Sequence, residues 1–148
     1  DVVPKVEQYF QLKDAQPLVI VLVVFLNYKG GRYMKKQFRV KTHEDFQHVV
    51  RSGLVEKNRF FVVYYLESEF SYPRVGISAP IKLGNAVIRS KTRRQIRGML
   101  QECWSELEAI DYVIIARKSY DLEQYGLGLE ELKGLLNKIR RKRNEKKA

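Results

Sequence analysis

Hydrophobic positions recur along the chain with two different periods. Residues 60–66 and 74–79 alternate and are rich in aromatic and β-branched side chains, which predicts two strands. In residues 111–116, Asp111 is followed by five consecutive residues with apolar or aromatic side chains, which is typical of a strand inside a sheet or beside a parallel partner. Apolar residues at the spacing of one helix face predict three helices, at residues 42–52, 86–107 and 129–139.

The first two helices have recognisable boundary signals. Thr42 followed three residues later by Asp45 resembles a capping box, and Gly53 gives a C-terminal stop. Before the second helix, Gly84 turns the chain and Asn85 can cap the first turn.

Alternation in residues 60–66 divides their side chains between two partly aromatic faces, Phe60, Val62, Tyr64 and Leu66 on one, Phe61, Val63 and Tyr65 on the other. A helix on one side of an antiparallel sheet would cover a single face and leave the other open. An aromatic ring on the open face can stack on an unpaired base. For Tyr64, packing in the core and stacking on a base are equally open interpretations.

The second helix carries a run of positive charge without any acid between Arg89 and Arg97. At 100° per residue, Lys91, Arg93, Arg94 and Arg97 lie on the flank and back of the apolar stripe. Arg89 shares the azimuth of the stripe and reaches solvent only if the start of the helix overhangs the core. Solvated helix faces usually mix charges of both signs, and a run of one sign repels itself. We therefore predict contact with a polyanion here in preference to an ordinary solvated face.

Composition supports one basic domain. The 148 residues have a formal net charge of +11, which indicates nucleic acid as a partner but leaves a membrane surface or an acidic protein open. Residues 1–33 contribute only about +1 of this charge. Cys103 is the only cysteine, so no internal disulfide can form, and we expect a small buried hydrophobe in a protein of a reducing compartment.

The two ends of the chain differ from the middle. Residues 18–26 are an apolar run too short to span a bilayer, and they favour a buried strand or an added edge. Acids near the start argue against a signal peptide, and Met34 followed by two lysines resembles a translation start. We expect residues 1–33 to be an extension or a leader introduced by cloning, without assigned function, and residues 142–148 to be a basic tail, disordered in the free protein.

No residue is predicted to be catalytic or to bind a metal. The sequence has no Cys/His cluster with metal spacing, no Gly-x-Ser-x-Gly elbow and no phosphate loop. His43 and His48 diverge by about 140° on a helix, so surface positions are expected for both.

Five segments together resemble the protein subunit of bacterial ribonuclease P. They are residues 45–47 (Asp-Phe-Gln), 58–64 (Asn-Arg-Phe-Phe-Val-Val-Tyr), 74–78 (Arg-Val-Gly-Ile-Ser), 84–91 (Gly-Asn-Ala-Val-Ile-Arg-Ser-Lys) and 111–117 (Asp-Tyr-Val-Ile-Ile-Ala-Arg). The resemblance covers about residues 35–141, and it places the domain at residues 34–141.

The resemblance implies an α+β fold, a two-layer sandwich of a small, mostly antiparallel sheet and helices with a left-handed βαβ crossover. It implies a ribonucleoprotein endonuclease in which a catalytic RNA, holding Mg²⁺, removes the 5′ leader of precursor transfer RNA. The partners expected from it are ribonuclease P RNA and the precursor leader, with no membrane and no stable protein partner, in the cytoplasm.

The resemblance also assigns RNA-binding positions. Phe46 and Tyr64 match the aromatic positions of the leader cleft, Lys82 and Asn85 precede the motif helix, and the basic motif with its helix corresponds to Arg89, Ser90, Lys91, Arg93, Arg94 and Arg97. Ser90 replaces the family's asparagine, whose amide both donates and accepts. Lys91 replaces an arginine and loses the bidentate fork. Val50 stands where a second aromatic is often found, which removes a stacking surface worth about 1–3 kcal/mol per base.

Two other functions stay open from the sequence. One is a non-enzymatic basic RNA-binding or architectural protein that uses the same helix. The other is a peripheral membrane protein that uses residues 18–26 and the basic arm after Met34.

Overall fold

The apolar segments of the sequence form one mixed sheet and the helices packed on it. The computed structural model describes residues 35–147, so the predictions for residues 1–33 lie outside the described residues. Within residues 35–147 there are four strands and three α-helices. The strands are β1 (Leu54–Lys57), β2 (Phe61–Glu67), β3 (Arg74–Ser78) and β4 (Ile110–Ala116); the helices are α1 (His43–Ser52), α2 (Ala86–Glu102) and α3 (Tyr125–Lys147).

The sheet has the strand order β1-β2-β4-β3. β2 is antiparallel to both β1 and β4, whereas β3 is parallel to β4. Parallel neighbours need a long crossover connection, and α2 provides it between β3 and β4. The predicted α+β architecture with a mostly antiparallel sheet is confirmed, and the left-handed sense of the crossover stays a prediction.

One face of the sheet forms the core with α2 and α3. Alternation along β2 buries Phe61, Val63 and Tyr65 on this face. The apolar stripe predicted for α2 joins the same cluster, with Ile96, Met99, Leu100 and Cys103 fully buried. Burial raises the pKa of the Cys103 thiol to about 12, so the thiol stays neutral and packs as a small hydrophobe, as predicted.

The predicted starts of α1 and α2 are both present. Thr42 Oγ1 accepts a hydrogen bond from the backbone N–H of Asp45 at 3.0 Å, and Asn85 Oδ1 accepts one from the N–H of Ile88 at 3.0 Å. Gly84 has a φ of 143°, a backbone conformation that residues other than glycine rarely adopt. These local interactions fix where each helix begins.

Three elements differ from the predictions. β1 was not predicted, because it is four residues long and its only buried side chain is the charged Glu56. α2 ends at Glu102 and not at residue 107, since the chain turns so that Trp104 packs edge-on against Phe38 with ring centroids 5.3 Å apart. α3 is longer than the predicted residues 129–139 and reaches Lys147.

Residues 142–147, predicted as part of a disordered tail, are the last turns of α3. Arg143 forms two hydrogen bonds of 2.9 Å with the Glu67 carboxylate, and Lys138 and Lys142 both pair with Glu56. Burial opposes the ionisation of Glu56, but hydrogen bonds from the two lysines outweigh it and lower the pKa of this carboxyl. These ion pairs hold the end of α3 against β1 and β2.

Candidate nucleic-acid interface

The basic residues of α2 and of the turn before it form a continuous segment of the surface, which we call the α2 surface. Lys82, Ser90, Lys91 and Arg94 are exposed, and Arg89, Arg93 and Arg97 are half-buried. The opposite side of the helix faces the core, as the 3.6-residue period predicts. The structure therefore brings all seven of these predicted residues onto one helix and its approach.

Cations of the α2 surface differ from those of α3 in their pairing. Within residues 35–147, Lys82, Lys91, Arg93 and Arg94 form no ion pair, whereas Arg143 is bonded to Glu67. Lys138 and Lys142 also share the carboxylate of Glu56. Because a cation already paired with a carboxylate has less to gain from a phosphate, the α2 surface is a better anion-binding surface than the part of α3 at Lys138, Lys142 and Arg143. Arg140 and Arg141 of α3 are exposed and also form no ion pair within residues 35–147.

Two of the predicted RNA-binding residues also hold the helix in place. Arg89 Nε donates a hydrogen bond of 3.0 Å to the carbonyl oxygen of Ala79, just beyond the end of β3. This contact explains how a residue at the azimuth of the apolar stripe is accommodated. The side-chain oxygen of Asn85 is used for the cap, so its amide nitrogen is the group that remains to donate to a ligand.

The second face of the sheet is only partly covered, by α1. This helix contacts β2 and β4 and buries Val49. The Phe46 ring lies over Gly76 of β3, where a Cβ atom would be 3.2 Å from Cδ2 of the ring. Glycine at this position therefore allows the helix to approach the strand closely.

Tyr64 lies on the same face of the sheet as Gly76, the residue over which the Phe46 ring packs. In the register of the sheet, Tyr64 is opposite Val113, which is itself opposite Gly76. Neighbouring strands are about 4.8 Å apart, so two strand spacings separate Tyr64 from Gly76. Both aromatic residues are half-buried. The structure brings the two predicted residues to the same face of the sheet, the one that α1 partly covers.

Beyond α1, a row of residues on the same face was not identified from the sequence. It runs across all four strands through the register partners Lys57, Val62, Ile115 and Ser78. Lys57 is exposed and the other three are half-buried. Alternation indicated the face of Val62, but the register that aligns the four residues depends on pairing between distant segments.

A part-buried ion pair joins β3 and β4 beside α1. Arg74 donates to both oxygens of Asp111, through Nε at 2.9 Å and Nη2 at 2.7 Å, where β3 and β4 begin to pair. Arg74 Nη1 also lies 3.9 Å from Asp45 of α1. The hydrogen bond with Asp111 raises the pKa of Arg74 and so further favours the charged guanidinium.

The described residues offer little to a metal ion. His43 and His48 are exposed on α1, as predicted, and no group of three or more His, Cys, Asp or Glu residues within residues 35–147 could hold a metal. In the same part of the chain, no helix has the length and apolar character needed to cross a bilayer.

The fold and its surface charge define a small α+β protein suited to binding polyanions. A family model described as Ribonuclease P matches residues 34–140. The ribonuclease P protein component of Streptococcus agalactiae is 47% identical over 92 residues, which cover 62% of this chain and 84% of that protein. The corresponding protein of Streptococcus pneumoniae is 45% identical over 93 residues, or 62% of this chain and 76% of that one.

Solved structures agree with this assignment. The ribonuclease P protein of Staphylococcus aureus is 36% identical with a TM-score of 0.61, covering 69% of this chain and 94% of that one. The protein from Thermotoga maritima is 28% identical with a TM-score of 0.63, covering 68% and 96%. The chain belongs to the ribonuclease P protein family. It is thus a subunit of an endoribonuclease and associates with ribonuclease P RNA.

Replacing Asp111 by asparagine should destabilise the fold by about 1–3 kcal/mol, because the half-buried Arg74 would lose the buried carboxylate that pairs with it. Urea denaturation at neutral pH measures the change in the free energy of unfolding. Glu123→Gln, at an exposed position, is the matched control and should change stability by no more than about 0.5 kcal/mol. Equal effects of the two substitutions would show that the Arg74 pair does not hold α1, β3 and β4 together.

Proposed function

We propose that this chain binds RNA through two adjacent surfaces. The α2 surface binds the RNA subunit of ribonuclease P, and the cleft between α1 and the sheet holds the 5′ leader of precursor transfer RNA. The observation that carries this proposal is that Lys82, Lys91, Arg93 and Arg94, on α2 and the turn before it, form no ion pair within residues 35–147.

The α2 surface supports a phosphate-binding role. Its cations release counterions when they neutralise phosphates, and this release drives association with a folded RNA. Lys91 contributes charge without the bidentate geometry of arginine, and Ser90 offers one hydroxyl in place of an amide. Recognition at these two positions therefore depends more on charge and less on base-specific hydrogen bonds.

The cleft supports binding of a single strand. Phe46 and Tyr64 present half-buried rings on one face, and unpaired bases stack on such rings in a sequence-tolerant way. Val50, one helical turn after Phe46, supplies no ring. Stacking in this protein thus relies on Phe46 and Tyr64, with the row at Val62 and Ile115 as an apolar continuation.

We also propose the division of labour between the subunits and the limits of the domain. The family match at residues 34–140 supports a domain at residues 34–141, and kinship with bacterial proteins supports a cytoplasmic location. The RNA subunit, with Mg²⁺ that it holds, supplies the hydrolysis, while this chain positions the leader and screens the repulsion between two RNA molecules.

The purified chain should leave precursor transfer RNA uncut in the presence of Mg²⁺ and should accelerate cleavage once ribonuclease P RNA is added. A gel assay of 5′-labelled precursor measures both conditions. Cleavage by the RNA-free protein at the rate of the holoenzyme would disprove the proposed division. No stimulation of the RNA would favour the alternative of a non-enzymatic RNA-binding protein.

Replacing Arg93 and Arg94 by alanine should weaken binding to ribonuclease P RNA and lower the slope of log K against log salt by about 1 to 2, because two phosphate contacts are lost. Filter binding between 50 and about 300 mM salt measures the slope. The matched control is Arg140→Ala with Arg141→Ala, which removes the same charge from the exposed side of α3. Equal changes in both double variants would mean that total charge, not the α2 surface, determines affinity.

Replacing Tyr64 by alanine should lower affinity for precursor transfer RNA in the holoenzyme by about 5- to 100-fold, the value of one stacked base. Affinity for mature transfer RNA, which lacks the leader, should be unchanged. Leu127→Ala removes an exposed apolar side chain from α3 and should affect neither ligand. Parallel losses for precursor and mature transfer RNA in the Tyr64 variant would exclude the cleft as the leader site.

A further inference from the structure

Three large aliphatic side chains beside the basic motif point into solvent and have no role in the fold described so far. Ile81 is 79% exposed, Val87 61% and Ile88 36%. Leu83, between them in the chain, behaves differently and packs against the core. We call Ile81, Val87 and Ile88 the aliphatic patch. Burying such side chains is favourable by about 1.5–3 kcal/mol each, so their exposure indicates a surface that another molecule covers.

The backbone holds the patch in a fixed shape. Ile81 begins a short 3₁₀ turn, Ile81–Leu83, and its carbonyl oxygen accepts a hydrogen bond of 3.1 Å from the N–H of Gly84. A Cβ atom at Gly84 would lie 2.9 Å from Cδ1 of Ile88, so the Ile88 side chain packs directly over this glycine. The turn that carries Ile81 and the first turn of α2, which carries Ile88, thus meet at Gly84, and the Asn85 cap fixes the start of the helix there.

The patch and the motif share a helix face. Val87 precedes Ser90 by three residues and Lys91 by four, and residues at these spacings are neighbours on a helix surface. Ile88 precedes Lys91 by three residues. A molecule that contacts Ser90 and Lys91 is thus within reach of Val87 without any rearrangement of the chain.

The charge around the aliphatic patch indicates which kind of molecule would bind there. No acidic residue occurs in residues 70–101, while Lys82 and Lys91 border the patch with exposed ammonium groups. Neither lysine forms an ion pair within residues 35–147. A second copy of the chain would bring two such cationic borders together, which is unfavourable. An unpaired nucleotide fits better, since it combines an apolar base face with a phosphate on either side.

We propose that the aliphatic patch is a contact site for an unpaired nucleotide of ribonuclease P RNA, whose base lies on Ile81, Val87 and Ile88 while its flanking phosphates meet Lys82 and Lys91. The proposal rests on the proposed function of the α2 surface and extends it. It divides the interface into a cationic part, whose strength falls with salt, and an aliphatic part, whose strength does not, because contact between apolar groups releases no counterions.

The test is a salt titration of RNA binding by the full chain carrying Ile81→Ser and Val87→Ser. Affinity for ribonuclease P RNA should fall by about tenfold at every salt concentration, and the slope of log K against log salt should equal that of the unmodified protein. Lys82→Ala with Lys91→Ala should instead lower the slope. Leu54→Ser, at an exposed leucine of β1, is the matched control and should change neither quantity. Circular dichroism confirms that each variant is folded.

Other outcomes identify which inference is wrong. If the serine variant binds RNA like the unmodified protein while Arg93→Ala with Arg94→Ala weakens binding, the aliphatic patch is not an RNA contact and the α2 surface stands. If neither pair of substitutions changes RNA affinity, the proposed function of α2 falls as well. Unchanged RNA affinity together with lost self-association in analytical ultracentrifugation, or lost binding to anionic phospholipid vesicles, would overturn the proposal in favour of a second copy or a membrane surface.

Discussion

The ion pair between Arg74 and Asp111 is the constraint on which the arrangement of the second sheet face depends. It joins residues 37 positions apart at the point where β3 and β4 begin to pair, and the same guanidinium approaches Asp45 of α1. A charged arginine placed between a strand and a helix needs both partners fixed, because an unpaired buried charge is costly. The pair thus joins the starts of β3 and β4, and the approach of the same guanidinium to Asp45, at 3.9 Å, adds a weaker contact with α1.

Charge pairing distinguishes two sets of basic residues on α2 and α3. On α3, Lys138, Lys142 and Arg143 are occupied by acids of β1 and β2 and hold the helix to the sheet. Lys91 and Arg94 on α2 have no such partners within residues 35–147. Net charge alone treats all of these cations alike, whereas the contacts distinguish those that hold α3 to the sheet from those on α2 that form no ion pair within the described residues.

The period of the hydrophobic residues predicted the helices and strands whose formation depends on residues within the same segment. Phe61, Val63 and Tyr65 alternate in sequence and are buried together, and the caps at Thr42 and Asn85 are local interactions. Features set by distant residues were missed. β1 pairs through its backbone and buries only the charged Glu56, so no hydrophobic pattern marks it, and α2 ends where Trp104 meets Phe38.

The candidate site shows the same division. The spacing of residues in the sequence predicts the cations of α2 and the sheet face on which Tyr64 lies. It does not predict the contact between Phe46 and Gly76, because these two residues are 30 positions apart. The hydrogen bond from Arg89 to the Ala79 carbonyl has a mechanical consequence. It holds the first turn of α2 against the end of β3, next to Ser78 on the face of the sheet that α1 partly covers. The distance between the α2 surface and the partly covered face of the sheet is therefore set by the fold, because a movement of one surface would also move the other.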